Sequence, residues 1–541
     1  MLAGTPRTNR PAIAKLALDA ATRVPGDLHR HNETKGGTVA TVRAQLGLVF
    51  AALGDYNTAS KFDTGKGTDI MKRPALPLLL LTIFVFGFVQ LGLCSVGRAA
   101  LKGGCATVEI TPPLGIPLIG SKGKPSDSVM DPLHVRALVL SDGRRTIAIV
   151  SAELLYTPLE EITGPVREIV TAETGIPPEN VMVCAIHTHS GPEVFTRSKV
   201  PNEGRLPAEQ IDRTYQEALV KKMAICVRVA QRHMQAVRIG TATGRLPEIV
   251  YNRRPRNEDG RVEMAFTLPP EITATRQTQT DANGHVHSVF TLPPERPERT
   301  FGPIDPNVYV LRTEDTAGRV VGSLVDFGCH PVCIYPFEST AISADYPGHT
   351  TRAVERAAGG ISLFVLGLAG NTVPLTRGVA PCAQMGKTLG AEAVKQLGQI
   401  AATDDVTLHA LRKEVSFPLA KSPSANHANG ETPKTITTEL QVLRLGDIYI
   451  LGLPGEVLVE VGLAIHSKAS LENLVIVTLA NDAIGYVCHR AAYKEGGYEP
   501  GSGTDLAPGA GEIMVENALT LLAEARQASV SRAAVAEGGR P

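Results

Sequence analysis

Downstream of residue 103, short apolar runs alternate with longer stretches in which apolar residues recur at helical spacing. The continuous runs predict strands buried on both faces. They lie at 135–140, 146–150, 180–186, 320–327, 361–368 and 474–479, and a hairpin at 441–445 and 448–453 turns at Gly446-Asp447. The helical spacing predicts helices at 159–174, 208–234, 382–400 and 511–527. This alternation is typical of an α/β fold, here a single large domain of mixed β-sheets flanked by helices over residues 101–530.

One segment inside this domain departs from the pattern. Residues 255–303 are polar and rich in Thr, Pro, Arg and Gln, and strand patterns resume on both sides of them. A long polar segment between structured elements is interpreted as a lid-like insertion rather than as a linker. At the C-terminal end, residues 531–541 are expected to form a flexible tail.

The first hundred residues divide into two pieces. Residues 1–70 show no sustained apolar period, and we hypothesise that they are not part of the native protein, which then begins at Met71. Met71-Lys72-Arg73 leads into an apolar run at 75–94 and then into small residues. These are the parts of a secretory signal peptide, and an uncleaved membrane anchor through 75–94 is the main alternative. Segment 71–100 therefore predicts export, to the periplasm or outside the cell.

Composition narrows the classes of function. The 541 residues include 54 Lys plus Arg and 54 Asp plus Glu, so the formal net charge is zero. A chain without a basic excess gives no reason to expect nucleic acid as a partner. Eight cysteines are too few for a disulfide scaffold in a chain of this length.

A pair of histidines follows one of the predicted buried strands. His187 and His189 come directly after the run 180–186, and Gly191-Pro192 ends the segment. Side chains alternate along a strand, so both imidazoles are expected on the same face. Ligand crevices of α/β proteins form at strand ends. The pair can bind a metal, or one His can bind while the other moves protons, or both can be hydrogen-bonded structural histidines.

A third histidine has the same placement. His330 follows the predicted strand 320–327 and precedes Pro331. Cys329 and Cys333 flank it, so a closed Cys/His structural zinc site competes with a catalytic one.

Two further segments place polar groups after strands. Glu456 follows the predicted hairpin, and alone it would be interpreted as a solvated residue at a helix start. Three of the 11 tyrosines, Tyr486, Tyr493 and Tyr498, fall within a stretch of 13 residues. One of them can serve as a ligand, and loop packing is the alternative.

Taken in order, several segments resemble the neutral (non-lysosomal) ceramidase family and its shorter bacterial relatives over about residues 105–522. The segments are Cys105-Ala-Thr-Val-Glu-Ile-Thr-Pro-Pro-Leu-Gly-Ile-Pro, Asp131-Pro-Leu-His-Val-Arg-Ala-Leu-Val-Leu, His187-Thr-His-Ser-Gly-Pro, Asn252-Arg253-Arg254, Ile342-Ser-Ala-Asp345, Pro454-Gly-Glu456 and the tyrosine loop 486–498. Any one of them is a weak signal, whereas the ordered set is specific.

The resemblance implies one catalytic Zn²⁺ and a set of residues around it. Its ligands would be His187, His330, Glu456 and Tyr486. The resemblance also implies that Arg253 and Tyr498 hold the substrate carbonyl or the developing oxyanion, and it places His189 in the outer part of the site, where that residue is a candidate to pass a proton to the leaving amine.

The chain also departs from the family pattern. Asn371 and Val373 stand where the ceramidases carry an Asp and a Ser, so a serine nucleophile in that loop is not supported. The missing Asp also removes a carboxylate that would orient a ligand histidine. The immunoglobulin-like C-terminal domain of full-length ceramidases is not present in the sequence.

These observations predict a zinc-dependent amidohydrolase whose metal site lies at strand ends. The expected reaction is hydrolysis of the amide bond of N-acyl lipids such as ceramide by metal-activated water, with possible association with a membrane surface. Two alternatives stay open: a zinc hydrolase of another amide, an ester or a lactone, and a non-catalytic surface protein on this scaffold.

Overall fold

The computed structural model describes residues 100–118, 124–194, 211–294, 298–334, 339–420 and 434–537, with side chains through residue 527. The predictions for residues 1–70 and for the apolar run 75–94 lie outside the described residues. Within the described ranges, no helix combines the length and the apolar character needed to cross a membrane.

The elements follow the predicted alternation of strands and helices. The strands are β1 Lys102–Glu109, β2 Ser128–Val129, β3 His134–Ser141, β4 Thr146–Ala152, β5 Val181–Ala185, β6 Gln235–Arg245, β7 Val250–Asn252, β8 Gln277–Thr280, β9 Val286–Val289, β10 Pro303–Ile304, β11 Asn307–Asp315, β12 Val320–Phe327, β13 Ala341–Ile342, β14 Ile361–Leu366, β15 Thr372–Pro374, β16 Leu408–Pro418, β17 Thr435–Leu445, β18 Ile448–Gly452, β19 Glu456–Val457, β20 Leu474–Val477 and β21 Tyr486–Val487. The α-helices are α1 Gly164–Thr174, α2 Arg213–Arg232, α3 Pro270–Thr273, α4 Asp345–Ala358, α5 Val379–Leu397, α6 Val459–Ala469, α7 Arg490–Glu495 and α8 Ala510–Glu537.

Two mixed sheets form the centre of the fold. The larger has eight strands in the order β14-β12-β11-β6-β1-β3-β4-β5. Its pairs β12/β14 and β4/β5 are parallel and its other pairs are antiparallel. The smaller sheet has the order β16-β17-β18-β20, with β18/β20 parallel. The fold is therefore mixed α/β, as the sequence predicted.

The larger sheet is buried on both faces because the side chains of each strand alternate between two cores. In β3, Val135, Ala137 and Val139 pack toward the helices, whereas Leu138 and Leu140 pack toward the smaller sheet. Helices α2, α4 and α5 cover the outer face of the larger sheet, and α8 covers that of the smaller one. The layers are thus helix, sheet, sheet and helix. Full burial of one such Val or Leu stabilises the fold by about 1.5–3 kcal/mol, which explains the nearly continuous apolar runs.

Some strands carry no apolar run and were not predicted. Strand β6, with the sequence QAVRIGTATGR, is central in the larger sheet but only partly buried. Two of its residues are glycines because helix α5 and the segment after it lie close. A Cβ on Gly240 would lie 2.6 Å from Ile400, and a Cβ on Gly244 would lie 2.4 Å from Glu392. Because β6 packs against α5 and the segment after it through glycines and carries many polar residues, its sequence has no hydrophobic pattern that predicts a strand.

The polar segment 255–303 folds on a small core of its own. It contains α3 and contributes to a three-stranded sheet in the order β10-β9-β8. Tyr251, Phe290 and Phe301 pack together, with ring centroids 4.8–6.1 Å apart. The segment is thus a folded insertion rather than a linker, and its action as a lid stays a prediction.

A buried ion pair ties the larger sheet together. Arg136 on β3 pairs with Glu153 just after β4 and, less closely, with Glu355 on α4. Burial would raise the pKa of Glu153, but Arg136 and the His134 side chain outweigh it and hold that pKa below its ordinary value. The carboxylate therefore stabilises the fold above an unfolded pKa of about 4.3, and this contribution is lost as the pH falls through the lowered folded pKa.

We expect Arg136→Met to lower the free energy of unfolding by about 3–5 kcal/mol near neutral pH, because Glu153 then stays buried without its partner. Urea unfolding at pH 7 checks the size of the loss. The exposed Arg144 provides the control, and Arg144→Met should change the stability little. Equal losses in the two variants would contradict a role for the buried pair.

Candidate metal centre

His187 is held by an unusual backbone conformation. Strand β5 ends at Ala185, and His187 has a φ of 71°, in the region that non-glycine residues rarely adopt. Its Nδ1–H donates to the Leu155 carbonyl oxygen at 3.1 Å, which directs Nε2 toward Glu456 Oε2 at 3.2 Å. Strained backbone of this kind clusters at functional sites.

His187 and His189 do come together, although not for the predicted reason. Alternation along a strand does not apply, because both residues lie beyond the end of β5. The turn at His187 brings the two ring centroids to 4.8 Å and the two Nε2 atoms to 3.4 Å. His187 is fully buried, whereas His189 is partly exposed at the outer side of the group.

His330 reaches the same point from a strand near the other end of the larger sheet's strand order. It follows β12, is buried, and donates from Nδ1–H to the Ala369 carbonyl oxygen. Its Nε2 then lies 3.1 Å from Glu456 Oε2 and 3.3 Å from the Tyr486 hydroxyl. Burial lowers the pKa of His330 to about 4, so the ring is neutral and its Nε2 lone pair is available.

Glu456 and Tyr486 are direct partners in a short parallel bridge. They begin β19 and β21, and their Cα atoms are opposite each other in the register. The residue before Glu456 is Gly455, with a φ of 93°. A Cβ at that position would lie 2.6 Å from the Gly485 carbonyl oxygen. Glycine is therefore required for the two segments, and for their two side chains, to come this close.

The chemistry of this group fits a metal ion. Two imidazole Nε2 atoms and a carboxylate oxygen face one another at 3.1–3.2 Å in a buried site. With both Nδ1–H groups donating to carbonyls, all three atoms are electron-pair donors, so a cation between them removes the repulsion. Nitrogen ligands from His with Glu and a further oxygen suit Zn²⁺. The ligand atoms of His187, His189 and His330 lie within 4.8 Å of one another, so His189 is also within reach of such an ion.

Arg253 and Tyr498 lie beside the four predicted ligands. Arg253 donates from Nη2 to the Tyr486 hydroxyl at 3.1 Å, and its guanidinium carbon lies 5.6 Å from the Tyr486 ring centroid. The Tyr498 ring lies edge-on to that of Tyr486, with the centroids 5.6 Å apart. The structure therefore brings together all seven residues singled out from the sequence.

The sequence did not point to Glu499, which positions Arg253. Glu499 is fully buried and accepts from Arg253 Nε at 2.8 Å and from Arg254 Nη1 at 2.6 Å. Burial would raise the pKa of Glu499, but the two arginines outweigh it and keep that pKa below its ordinary value. One carboxylate thus fixes the guanidinium of Arg253, and the sequence signal was its place directly after Tyr498.

Tyr156 was also missed. Its hydroxyl donates to Glu456 Oε1 at 2.6 Å, and its ring centroid lies 5.4 Å from that of His187. It fixes the oxygen of Glu456 that does not face the histidines, and so orients the other one. The position of Tyr156 shortly after a buried strand was the signal in the sequence.

The two departures from the family pattern have separate structural roles. Asn371 Oδ1 accepts from Val459 N at 2.9 Å and its Nδ2 donates to Glu460 at 2.8 Å, so it caps the start of α6. The Ala369 carbonyl, rather than a carboxylate at position 371, orients His330. Val373 is fully buried beside Tyr251 in the core of the insertion.

The competing Cys/His zinc site around His330 is not formed among the described residues. The Cys329 thiol donates toward the His330 backbone oxygen at 3.8 Å rather than meeting its imidazole. Cys333 groups instead with Asp345 and Cys382, away from the imidazole of His330. Spacing in the sequence suggested a shared site, but the turn after β12 sends the thiols and the imidazole to different sides.

We expect Tyr156→Phe to weaken metal affinity or activity about 10–100-fold, as loss of a partner of a metal ligand typically does. Competition with a chromophoric zinc chelator measures the affinity. Tyr215→Phe is the matched control, because Tyr215 is another buried tyrosine whose hydroxyl donates to a backbone carbonyl, that of Ile110. An unchanged affinity in Tyr156→Phe would show that its hydrogen bond does not orient Glu456.

Comparisons with known proteins identify the fold. A scan against protein families gave no match, and a search of curated proteins gave none either. Among solved structures, neutral ceramidase from Pseudomonas aeruginosa is similar, with a TM-score of 0.61 and 20% sequence identity over 79% of this chain and 75% of that one. The chain has the neutral ceramidase fold. A structure of a ceramidase complexed with C2 matches with a TM-score of 0.59 and 18% identity over 79% of this chain and 76% of that one.

Proposed function

We propose that this protein is a zinc-dependent hydrolase that cleaves the amide bond of N-acyl lipids such as ceramide, and so acts in sphingolipid metabolism. The observation that carries the proposal is that the Nε2 atoms of His187 and His330 lie 3.2 and 3.1 Å from the same Glu456 oxygen, with Tyr486 and Arg253 beside them. The neutral ceramidase fold supports the choice of substrate. The ligands would be His187, His330, Glu456 and Tyr486.

Different residues have different roles in the proposed amide hydrolysis. A zinc ion held by His187, His330, Glu456 and Tyr486 would supply a Lewis acid for the carbonyl and would lower the pKa of bound water toward neutral. Arg253 and Tyr498 hold the substrate carbonyl oxygen, and Glu499 keeps the guanidinium of Arg253 in place. Fixed donors aimed at a developing oxyanion are often the largest contribution to catalysis. Burial and the two neighbouring histidines hold the pKa of His189 well below its ordinary value. The neutral ring, at the outer side of the group, would therefore first take the proton of the attacking water and then pass it to the leaving amine.

Zinc content and substrate turnover test the proposal together. Purified protein is analysed for bound metal and then assayed with a fluorogenic N-acyl sphingosine, with simpler amides, and with esters and lactones. About one catalytic zinc per chain with cleavage of the sphingolipid amide supports the proposal. Zinc with cleavage of an ester or lactone alone keeps the centre and overturns the substrate. Zinc without any turnover favours a non-catalytic protein on this scaffold.

Arg253→Lys should lower kcat by about a hundredfold while zinc stays bound, because a lysine cannot bond the Tyr486 hydroxyl and Glu499 at once. Steady-state kinetics and metal analysis of the same preparation check both parts. The exposed Arg261 gives the control, Arg261→Lys, for which no loss is expected. Loss of zinc together with activity would assign Arg253 to holding the ligand Tyr486 rather than the substrate.

We also propose that the protein is exported through the segment 71–100, with translation starting at Met71. The positive start, the apolar run 75–94 and the small residues after it support this. Sequencing the N-terminus of the native protein tests it. A mature chain that starts near residue 100 supports a cleaved signal peptide, a retained 75–94 segment supports the anchor, and peptides from residues 1–70 contradict the assigned start.

A further inference from the structure

A second group of metal-binding side chains lies outside the proposed catalytic centre. Cys333, Asp345 and Cys382 are buried, and their ligand atoms lie within 4.8 Å of one another. Cys333 is in the segment that follows His330, Asp345 begins α4, and Cys382 is in the first turn of α5. The mechanism of amide hydrolysis uses none of these residues.

Two distances between the sulfur and oxygen atoms here match the edges of a tetrahedral site. Cys382 Sγ lies 3.6 Å from Asp345 Oδ1, and Cys333 Sγ lies 3.7 Å from Met385 Sδ. For Zn–S bonds of about 2.3 Å and Zn–O bonds of about 2.0 Å, neighbouring ligand atoms in a tetrahedron are about 3.5–3.8 Å apart. These two distances are therefore those that one tetrahedral ion would require, and the ligand atoms of Cys333, Asp345 and Cys382 are close enough to converge on it.

The backbone holds Asp345 ready for this role. Its Oδ2 accepts from Ile334 N at 3.1 Å, and its Oδ1 accepts from Tyr346 N at 2.7 Å. Asp345 also has a φ of 55°, a conformation that costs energy outside glycine. These bonds fix the direction of the carboxylate and leave lone pairs on both oxygens for a further partner.

A route from solvent leads to the group. Met385 lines a surface cavity of about 510 Å³ together with residues such as Leu375 and Pro381. The Met385 sulfur contacts the Cys333 thiol, so this flexible side chain lies between the cavity and the group. An entry path of this kind is one requirement for a metal site, and the unbranched Met side chain can swing aside.

We propose that Cys333, Cys382 and Asp345, with Met385 as the fourth ligand, form a second site for a thiophilic cation with a filled d shell, such as Zn²⁺. Binding replaces the two thiol protons: the ion forms two metal–thiolate bonds and two H⁺ are released to solvent. Burial raises the pKa of Cys333 to about 12, so its proton is present before the ion arrives. The bound ion would brace the segment 328–334, which carries His330, against α4 and α5.

Cadmium is the probe for this site, because its bonds to thiolates give an ultraviolet charge-transfer band that His, Glu and Tyr ligands do not give. Fully reduced, metal-free protein is titrated with Cd²⁺ while absorbance and proton release are followed. We expect a band that saturates at about one Cd²⁺ per chain, with about two protons released for that ion. The proposed catalytic centre contains no thiolate, so this result is independent of whether that centre exists.

Variants assign the band to these residues. Cys382→Ser should remove it, and Cys382→Ala and Met385→Leu should remove or weaken it if the first variant does not fold. Cys226→Ser is the control, because Cys226 is a buried thiol outside the group that donates to the backbone carbonyls of Ala106 and Val135. A saturating band in the wild type and in Cys226→Ser, but not in Cys382→Ser, supports the site. Absence of the band in the wild type, its persistence in Cys382→Ser, or a Cys333–Cys382 disulfide that leaves no titratable thiols overturns it.

Discussion

Glu456→Gln should abolish zinc binding and amide hydrolysis together. The amide keeps the shape of the side chain but removes the negative charge that faces the Nε2 atoms of His187 and His330 at 3.2 and 3.1 Å. Two neutral imidazoles and a tyrosine are a much poorer site for a divalent ion than the same set with a carboxylate. We expect total bound zinc to fall by about one ion per chain relative to the wild type, whatever the Cys333–Asp345–Cys382 group holds, with activity lost as well.

Zinc content is measured on dialysed protein, and amide hydrolysis is measured on the same sample. Glu472→Gln is the control, because Glu472 is an exposed carboxylate in the same part of the chain and should retain both zinc and activity. Circular dichroism establishes that both variants are folded. Full activity in folded Glu456→Gln protein would remove the metal centre from the mechanism.

His189→Gln should leave zinc in place and lower kcat by about 10²–10⁴-fold, the range for loss of a general acid. The reason is geometric: His189 is partly exposed at the outer side of the group, 3.4 Å from His187, whereas the other two histidines have their second nitrogen tied to a backbone carbonyl. The loss should shrink for substrates whose leaving group needs no proton, such as activated esters.

Comparing an alkyl amide with an activated ester of the same acyl group separates the two roles open to His189. His233→Gln, at the exposed end of α2, is the control and should behave as wild type. A large loss on the amide with a small loss on the ester identifies a proton donor. Loss of zinc in His189→Gln would instead make His189 a ligand, which its distance to His187 also permits.

Strands could be predicted from the sequence only where their burial leaves an apolar pattern. Strands such as β3 and β12 are buried on both faces, so each leaves a continuous apolar run in the chain. Strand β6 lies in the middle of the same sheet, but close contact with α5 selects glycine and polar residues there, and no local pattern reveals it. A strand buried on both faces can therefore be predicted from its apolar residues, whereas a strand in close contact with a helix cannot.

The site shows the same limit at the level of single residues. Resemblance to a family supplied the four ligands, since no local rule connects His187 with residues 456 and 486. The roles of Tyr156 and Glu499 depend on tertiary contacts: the partner of the Tyr156 hydroxyl is 300 residues away, and Glu499 bridges to an arginine 246 residues away. The same holds for His187, because the strand alternation used to place it ends two residues too early.

The four proposed ligands come from two different layers of the fold. His187 and His330 follow strands β5 and β12 of the larger sheet, whereas Glu456 and Tyr486 follow β18 and β20 of the smaller one. An ion held by all four would link the two sheets, in addition to the apolar side chains between them and hydrogen bonds such as that from Gln441 Nε2 to the Val181 carbonyl oxygen. The geometry of the metal centre would then depend on the distance between the two sheets. Substitutions in the apolar core between the sheets, far from any substrate, would lower activity by moving the two pairs of ligands apart.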